Sequence, residues 1–199
     1  MHGIQPNAVG IARPTFQLTF PQISYKLTNM IRTLVLLAAF TLLATTAFAL
    51  KLNEPAPSFA LRDSTDCNFY LSDYVGPKKK KPCKGVILSF FASYCKPCRN
   101  ELPVLNGLVD EFEKKGIKVV LIGFNEDFDK IGEMLNELKV DKPVILADRY
   151  GKVGEKYGVK FLPMTLFIAP DGTVRDMIRG ELPDIEKVFR QKAAKLAGG

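Results

Sequence analysis

The chain is expected to fold as an α/β protein, a mixed sheet flanked by helices with an added N-terminal β-hairpin. Three observations lead there. Val86 to Ala92 and Lys118 to Phe124 are nearly continuous apolar runs, the composition of strands buried on both faces. Between and after them, Leu102, Leu105, Leu108, Val109 and Phe112, then Ile131, Leu135 and Leu138, recur at helical spacing. The chain closes on a turn at Pro170-Asp171-Gly172-Thr173 and a last amphipathic segment. Buried strands alternating with helices, ended by an antiparallel pair and a helix, require helices layered on one sheet.

In chain order, Leu50 to Pro57 is extended and proline-spaced and reads as a linker. Phe59-Ala60-Leu61 and Asn68-Phe69-Tyr70-Leu71 flank a polar Asp63–Asp66 stretch and read as a hairpin. Lys78 to Lys81 reads as a solvated loop ending at Pro82-Cys83. The strand Val86–Ala92 is followed by a helix from about Lys96 to Lys115, stopped by Gly116. After the strand to Phe124, Asp127 can cap a helix running to about Leu138. Val144 to Ala147 is a short strand, and Tyr150 to Tyr157 a short helix closed by Gly158. Met164–Ala169 and Val174–Ile178 form the last antiparallel pair, and Pro183 opens the final helix through Val188 and Leu196.

Composition narrows the function. The 199 residues are 47% apolar and 25% charged, which suits one globular domain plus an export segment. The net charge of +7 is inflated by Arg13, Lys26 and Arg32, which lie in a stretch without acids. Without those three, 25 basic residues face 21 acidic ones, and no basic helix or aromatic platform suggests nucleic acid. The one histidine is His2. Imidazole-dependent metal sites and Cys–His hydrolases are therefore not expected, and neither a metal nor a cofactor is assigned.

Met30-Ile31-Arg32, the apolar run Leu34–Leu43 and Ala47-Phe48-Ala49 have the three parts of a secretory signal. Residues 30–49 are read as a cleaved signal peptide or a retained membrane anchor. Residues 1–29 are read as an upstream extension, disordered or untranslated, and residues 50–199 as the folded domain. That domain is expected outside the cytoplasm, in a periplasm-like compartment where disulfides persist.

Cys95-Lys96-Pro97-Cys98 lies where the buried strand gives way to the helix. A thiolate there faces unpaired N–H groups and the positive end of the helix dipole, which lower its pKa. Lys96 adds positive charge. Cys95 is expected to be exposed, with Cys98 facing inward one turn later. Such a pair could also be half of a zinc site, but no second pair with matching spacing is present, and Arg99 stands where covalent haem attachment needs histidine. Phe161-Leu162-Pro163-Met164-Thr165 precedes a strand, and a cis proline there would leave the Leu162 backbone free to pair with an extended substrate. Glu101 either complements the helix dipole or handles protons near the thiols.

Together, Phe91 to Cys98, Pro103 and the Pro163 strand resemble the thioredoxin superfamily from about Glu54 to Ala197. The leading hairpin, the Cys95-x-Pro97-Cys98-x-x-Glu101-x-Pro103 string and the Pro-Asp-Gly turn are similar to its TlpA/ResA-like branch. That branch comprises extracytoplasmic reductases that often serve cytochrome c maturation. The resemblance implies that Cys95 attacks, Cys98 resolves, Pro163 is the cis-proline and Glu101 is the acid of the site, while Pro103 kinks the helix. It places Tyr94, Lys96, Pro97 and Leu162 against the substrate. It also implies a disulfide-bearing client, such as apocytochrome c, and a membrane thiol as electron donor. Tyr94 and Phe91 replace tryptophans, Ser89 stands where thioredoxin has a buried aspartate, and Leu162 is larger than usual.

Cys67 and Cys83 lie outside this motif. An even cysteine count in an exported domain favours a structural disulfide between them, with separate thiols or a second redox pair as alternatives. The leading function is reduction of protein disulfides. A thiol oxidant or disulfide-repair protein of the same fold, a peroxidase and a non-catalytic binding or chaperone module are the competing readings.

Overall fold

The computed structural model describes residues 28–35, 50–81 and 83–197. The chain divides into Met1–Ala47 and Phe48–Gly199. In the first unit, residues 28–35 are helical and exposed. The signal-cleavage positions and most of the apolar run lie outside the described residues. Among the described residues, no helix is long and apolar enough to cross a membrane.

In the second unit, β1 (Ala60–Arg62) and β2 (Asn68–Tyr70) form the expected hairpin, with Leu61 opposite Phe69. Asp63 shapes its turn, accepting from Thr65 and from the Cys67 N–H. The main sheet contains β3 (Gly85–Phe91), β4 (Ile117–Phe124), β5 (Val144–Asp148), β6 (Met164–Ile168) and β7 (Val174–Arg179), in the order β5-β4-β3-β6-β7. The first three run parallel, and β6 and β7 are antiparallel. The helices are α1 (Lys96–Lys114), α2 (Phe128–Glu137), α3 (Lys152–Tyr157) and α4 (Ile185–Ala197).

All seven residues of β3 are buried. Strand side chains alternate between faces, so Ile87 and Phe91 join the core packed with Leu102, Leu105 and Phe112 of α1. Val86, Leu88 and Phe90 join the other core, with Phe59 and Phe69 of the hairpin segment and Tyr157 of α3. Ser89, midway between Ile87 and Phe91, therefore points to the α1 face. α1 runs through Pro103 to Lys114 and is capped by Lys115, after which Gly116 takes a φ of 77°.

Two expectations need correction. Leu50–Pro57 is not a free linker: Asn53 N–H donates to the Val174 carbonyl at 2.7 Å and Ala56 N–H to Gly172 at 2.8 Å. Backbone pairing of this kind depends little on side chains, so composition conceals it. The last helix begins at Ile185 rather than beside Pro183, because Asp184 adopts a left-handed φ of 51° and breaks the run.

Candidate active site

The end of β3 and the start of α1 are joined by Ala92 to Cys95, a tight turn closed by Cys95 N–H donating to the Ala92 carbonyl at 3.1 Å. Cys95 is the N-cap of α1, and its Sγ accepts from the Cys98 N–H at 3.2 Å. Pro97 lies in the first turn, where its missing N–H costs no helical hydrogen bond. Cys95 and Cys98 are joined as a disulfide, with Cα atoms 5.3 Å apart. Cys98 is fully buried, whereas Cys95 keeps 6% exposure. The first cysteine is thus reachable only at its edge, less open than expected. Around it, Lys96 and Tyr94 are exposed and Pro97 is half-buried.

The Leu162–Pro163 peptide bond is cis. Pro163 is buried and its carbonyl accepts from the Gly180 N–H at 2.8 Å, while Leu162 stands just outside the ladder that begins at Met164. Phe161, two residues before Pro163, is 69% exposed, close to the 72% of Tyr94.

One helical turn on from Cys98 lies a carboxyl–hydroxyl cluster. Glu101 is only 3% exposed on the sheet-facing side of α1. The register of β3 and β6 sets Ser89 opposite Thr165. Thr165 Oγ1 donates to Glu101 Oε1 at 2.9 Å and lies 2.8 Å from the Ser89 hydroxyl, which is itself 3.4 Å from the same Oε1. The other oxygen, Oε2, is buried without a hydrogen-bond partner among the described residues. Burial pushes the Glu101 pKa from 4.5 up to about 7, against the opposing pull of the Thr165 and Ser89 hydroxyls. The nearby Glu181 charge adds to the rise. Simple dipole complementation would not need a carboxyl held away from water near neutrality.

Sequence reasoning missed two members of this neighbourhood. Thr165 reads as an ordinary strand residue until its partner across the ladder is known. Glu126, beyond the end of β4, is buried and bonded to Ser93. Its one signal is an acid between a strand end and a helix cap, in Phe124-Asn125-Glu126-Asp127.

The proposed Cys67–Cys83 disulfide is absent: both are free thiols, Cys67 exposed and Cys83 half-buried. They belong to opposite ends of the parallel strands. Cys67 is bonded to Asp63, which bridges to Leu146, the partner of Ile122. Cys83 lies beside Ile117 and Lys118 at the start of β4. Five residues of strand amount to about 16 Å, well beyond the roughly 7 Å that a disulfide tolerates between Cα atoms. The Cys83 thiol instead donates to the Gly85 carbonyl at 2.8 Å and accepts from the Gly85 N–H at 3.2 Å. A recess of about 630 Å³ is bordered by Leu61, Phe128 and Tyr150 and has no cysteine in its lining.

Two thiols that close and open within one helical turn can exchange an electron pair with another disulfide. The fold and this pair define a thiol–disulfide oxidoreductase. A family model described as AhpC/TSA matches residues 52–177, and the chain belongs to that family. It is 32% identical over 161 residues to the thiol-disulfide oxidoreductase ResA of Geobacillus kaustophilus, covering 77% of this chain and 88% of that one. Identity to ResA of Bacillus subtilis is 30% over 129 residues, covering 65% and 68% respectively. A crystal structure of a putative thiol:disulfide interchange protein DsbE from Chlorobium tepidum is similar, with a TM-score of 0.66 at 27% identity. That match covers 75% of this chain and 100% of the other.

Proposed function

We propose that the protein reduces client disulfides outside the cytoplasm, with apocytochrome c as the client and a membrane-embedded thiol as electron donor. Cys95 is the nucleophile. Its thiolate attacks one client sulfur, forming a mixed disulfide and releasing the other client sulfur as a thiolate that takes up a proton. Cys98 then gives its proton to Glu101 and attacks Cys95 Sγ, expelling the second client thiolate. The client gains two electrons, and the protein is left with the Cys95–Cys98 disulfide. Tyr94, Lys96, Pro97 and Leu162 form the surface that meets the client beside Pro163.

The observation that carries this reading is the bare Oε2 of a buried carboxyl within one helical turn of Cys98. A carboxyl held near neutrality one helical turn away is placed to take up the proton of the resolving thiol. The extracytoplasmic setting is supported by the signal-like residues 30–49, and the client class by kinship with proteins named ResA.

The test uses a Cys98→Ser variant, which stops at the mixed disulfide. Mixed with an oxidised peptide bearing the Cys-x-x-Cys-His sequence of apocytochrome c, it should form a Cys95-linked adduct faster than with a peptide of scrambled sequence. Equal rates would remove the cytochrome assignment. Absence of any adduct would remove Cys95 as nucleophile.

A further inference from the structure

We propose that Glu126 is a positioning residue of the redox site, gripping Ser93 so that the turn ahead of Cys95 holds its sulfur at the start of α1. The inference rests on the reading of Cys95 and Cys98 as the reacting pair. Glu126 is 7% exposed, and both of its oxygens serve one residue. Oε2 accepts from the Ser93 N–H at 2.6 Å, and Oε1 from the Ser93 hydroxyl at 2.6 Å. Among the described residues Glu126 has no cationic partner. A carboxylate withdrawn from water is costly unless hydrogen bonds replace its hydration. Here Ser93 supplies those bonds.

The grip bears on Cys95 because of how each side is anchored. Ser93 and Tyr94 are the central residues of the Ala92–Cys95 turn, and Tyr94 points into solvent. Ser93 is therefore where the turn is fastened to the protein body. Opposite it, the chain leaves β4 at Phe124, and Asn125 takes a left-handed φ of 58° while its N–H donates to the Asp148 carbonyl at 2.9 Å. Asparagine tolerates that conformation better than most residues. Asp127 then caps α2. Glu126 is thus held between two anchored neighbours and cannot follow the turn if the turn shifts. With the grip lost, Cys95 Sγ can drift from the Cys98 N–H that it faces, and the helix start stabilises the thiolate less.

Grip and charge have opposite signs, which makes the idea testable. As a bare negative charge, Glu126 would raise the Cys95 pKa, so its removal would lower it. As a grip, its removal raises it. Charged or titratable groups near this end of α1 include Lys96, Arg99 with Glu137, buried Glu101, Glu181 and Asp127 next to Glu126, and none is altered in the variants.

The experiment uses reduced full-length protein and the Glu126→Ala, Glu126→Gln and Ser93→Ala variants. Glutamine keeps an acceptor for the Ser93 N–H and sets its amide beside the hydroxyl. The readouts are the rate of Cys95 alkylation against pH, and kcat and KM for hydroxyethyl disulfide, a small neutral substrate. Glu126→Ala should raise the Cys95 pKa and lower kcat about tenfold with KM unchanged, and Glu126→Gln should recover kcat to within about threefold. A Cys95 pKa in Glu126→Ala no higher than in the equally uncharged Glu126→Gln, or a Glu126→Gln variant as slow as Glu126→Ala, would overturn the grip. Should both glutamate variants fail to fold, Ser93→Ala decides. It loses only the hydroxyl bond, so its Cys95 pKa should rise by a smaller amount, and an unchanged value would overturn the proposal. A wild-type protein inactive on hydroxyethyl disulfide would overturn the redox reading instead, and the Cys95 titration would still judge the grip.

Discussion

Ser89 and Thr165 face each other across the antiparallel β3–β6 pair, with hydroxyl oxygens 2.8 Å apart. This pairing gives the Glu101 carboxyl its only hydrogen bonds among the described residues, both on Oε1. The same strand register begins at Met164, directly after Pro163. The cis proline that precedes β6 and the hydroxyls that hold Glu101 are therefore set by one ladder.

The first expectation concerns activity against pH. If the Glu101 carboxylate accepts the Cys98 proton, reduction should rise with pH through a midpoint near the Glu101 value of about 7. Thr165→Val removes the bond that holds that value down, and should move the midpoint up by about one pH unit. Thr165→Ser, which keeps the hydroxyl, should restore it. A profile unmoved in both Thr165→Val and Glu101→Gln would return Glu101 to a purely structural role.

The second concerns stability. A carboxyl whose folded pKa is raised binds its proton more tightly folded than unfolded. Its contribution is whole below pH 4.5 and is lost as pH rises through about 7. Between those limits the wild type should lose up to about 3 kcal/mol relative to Glu101→Gln. Denaturant titrations of both proteins from pH 4 to pH 8 check this (a range of roughly four units, spanning both values). Parallel pH dependences would contradict the buried carboxyl.

The third separates the two thiols. In the reduced protein, Cys95 at the open edge of the turn should react with iodoacetamide at neutral pH at least about tenfold faster than Cys98. Peptide mass mapping over time gives the ratio. Equal rates would remove the assignment of roles.

Much of this was legible in the chain itself, because it depends on local pattern. The apolar run of β3, the strand-to-helix placement of Cys95 and Cys98, and a proline opening β6 are each visible within a few residues. What escaped reading depends on contacts distant in sequence. Glu126 carries no local signal of its role, because its partner Ser93 lies thirty-three positions earlier in the chain. Thr165 needs the ladder that brings Ser89 opposite. The even cysteine count favours pairing Cys67 with Cys83, but a short hairpin docked at the far end of the sheet separates them.

The fourth expectation follows from that separation. Oxidised, folded protein should give two titratable thiols, Cys67 reacting quickly and Cys83 slowly, since burial pushes the Cys83 thiol up despite its bond to Gly85. Digestion without reductant should yield no Cys67–Cys83 linked peptide. Recovery of that peptide in high yield would contradict the free thiols.

The reductase assignment meets its most direct test in the equilibrium potential of the Cys95–Cys98 couple, read from the oxidised and reduced fractions in graded thiol–disulfide buffers. A reductase requires a midpoint below roughly −200 mV, and that is the expected result. A midpoint near about −120 mV, the range of strong protein oxidants, would show that the disulfide is donated to clients and would contradict it.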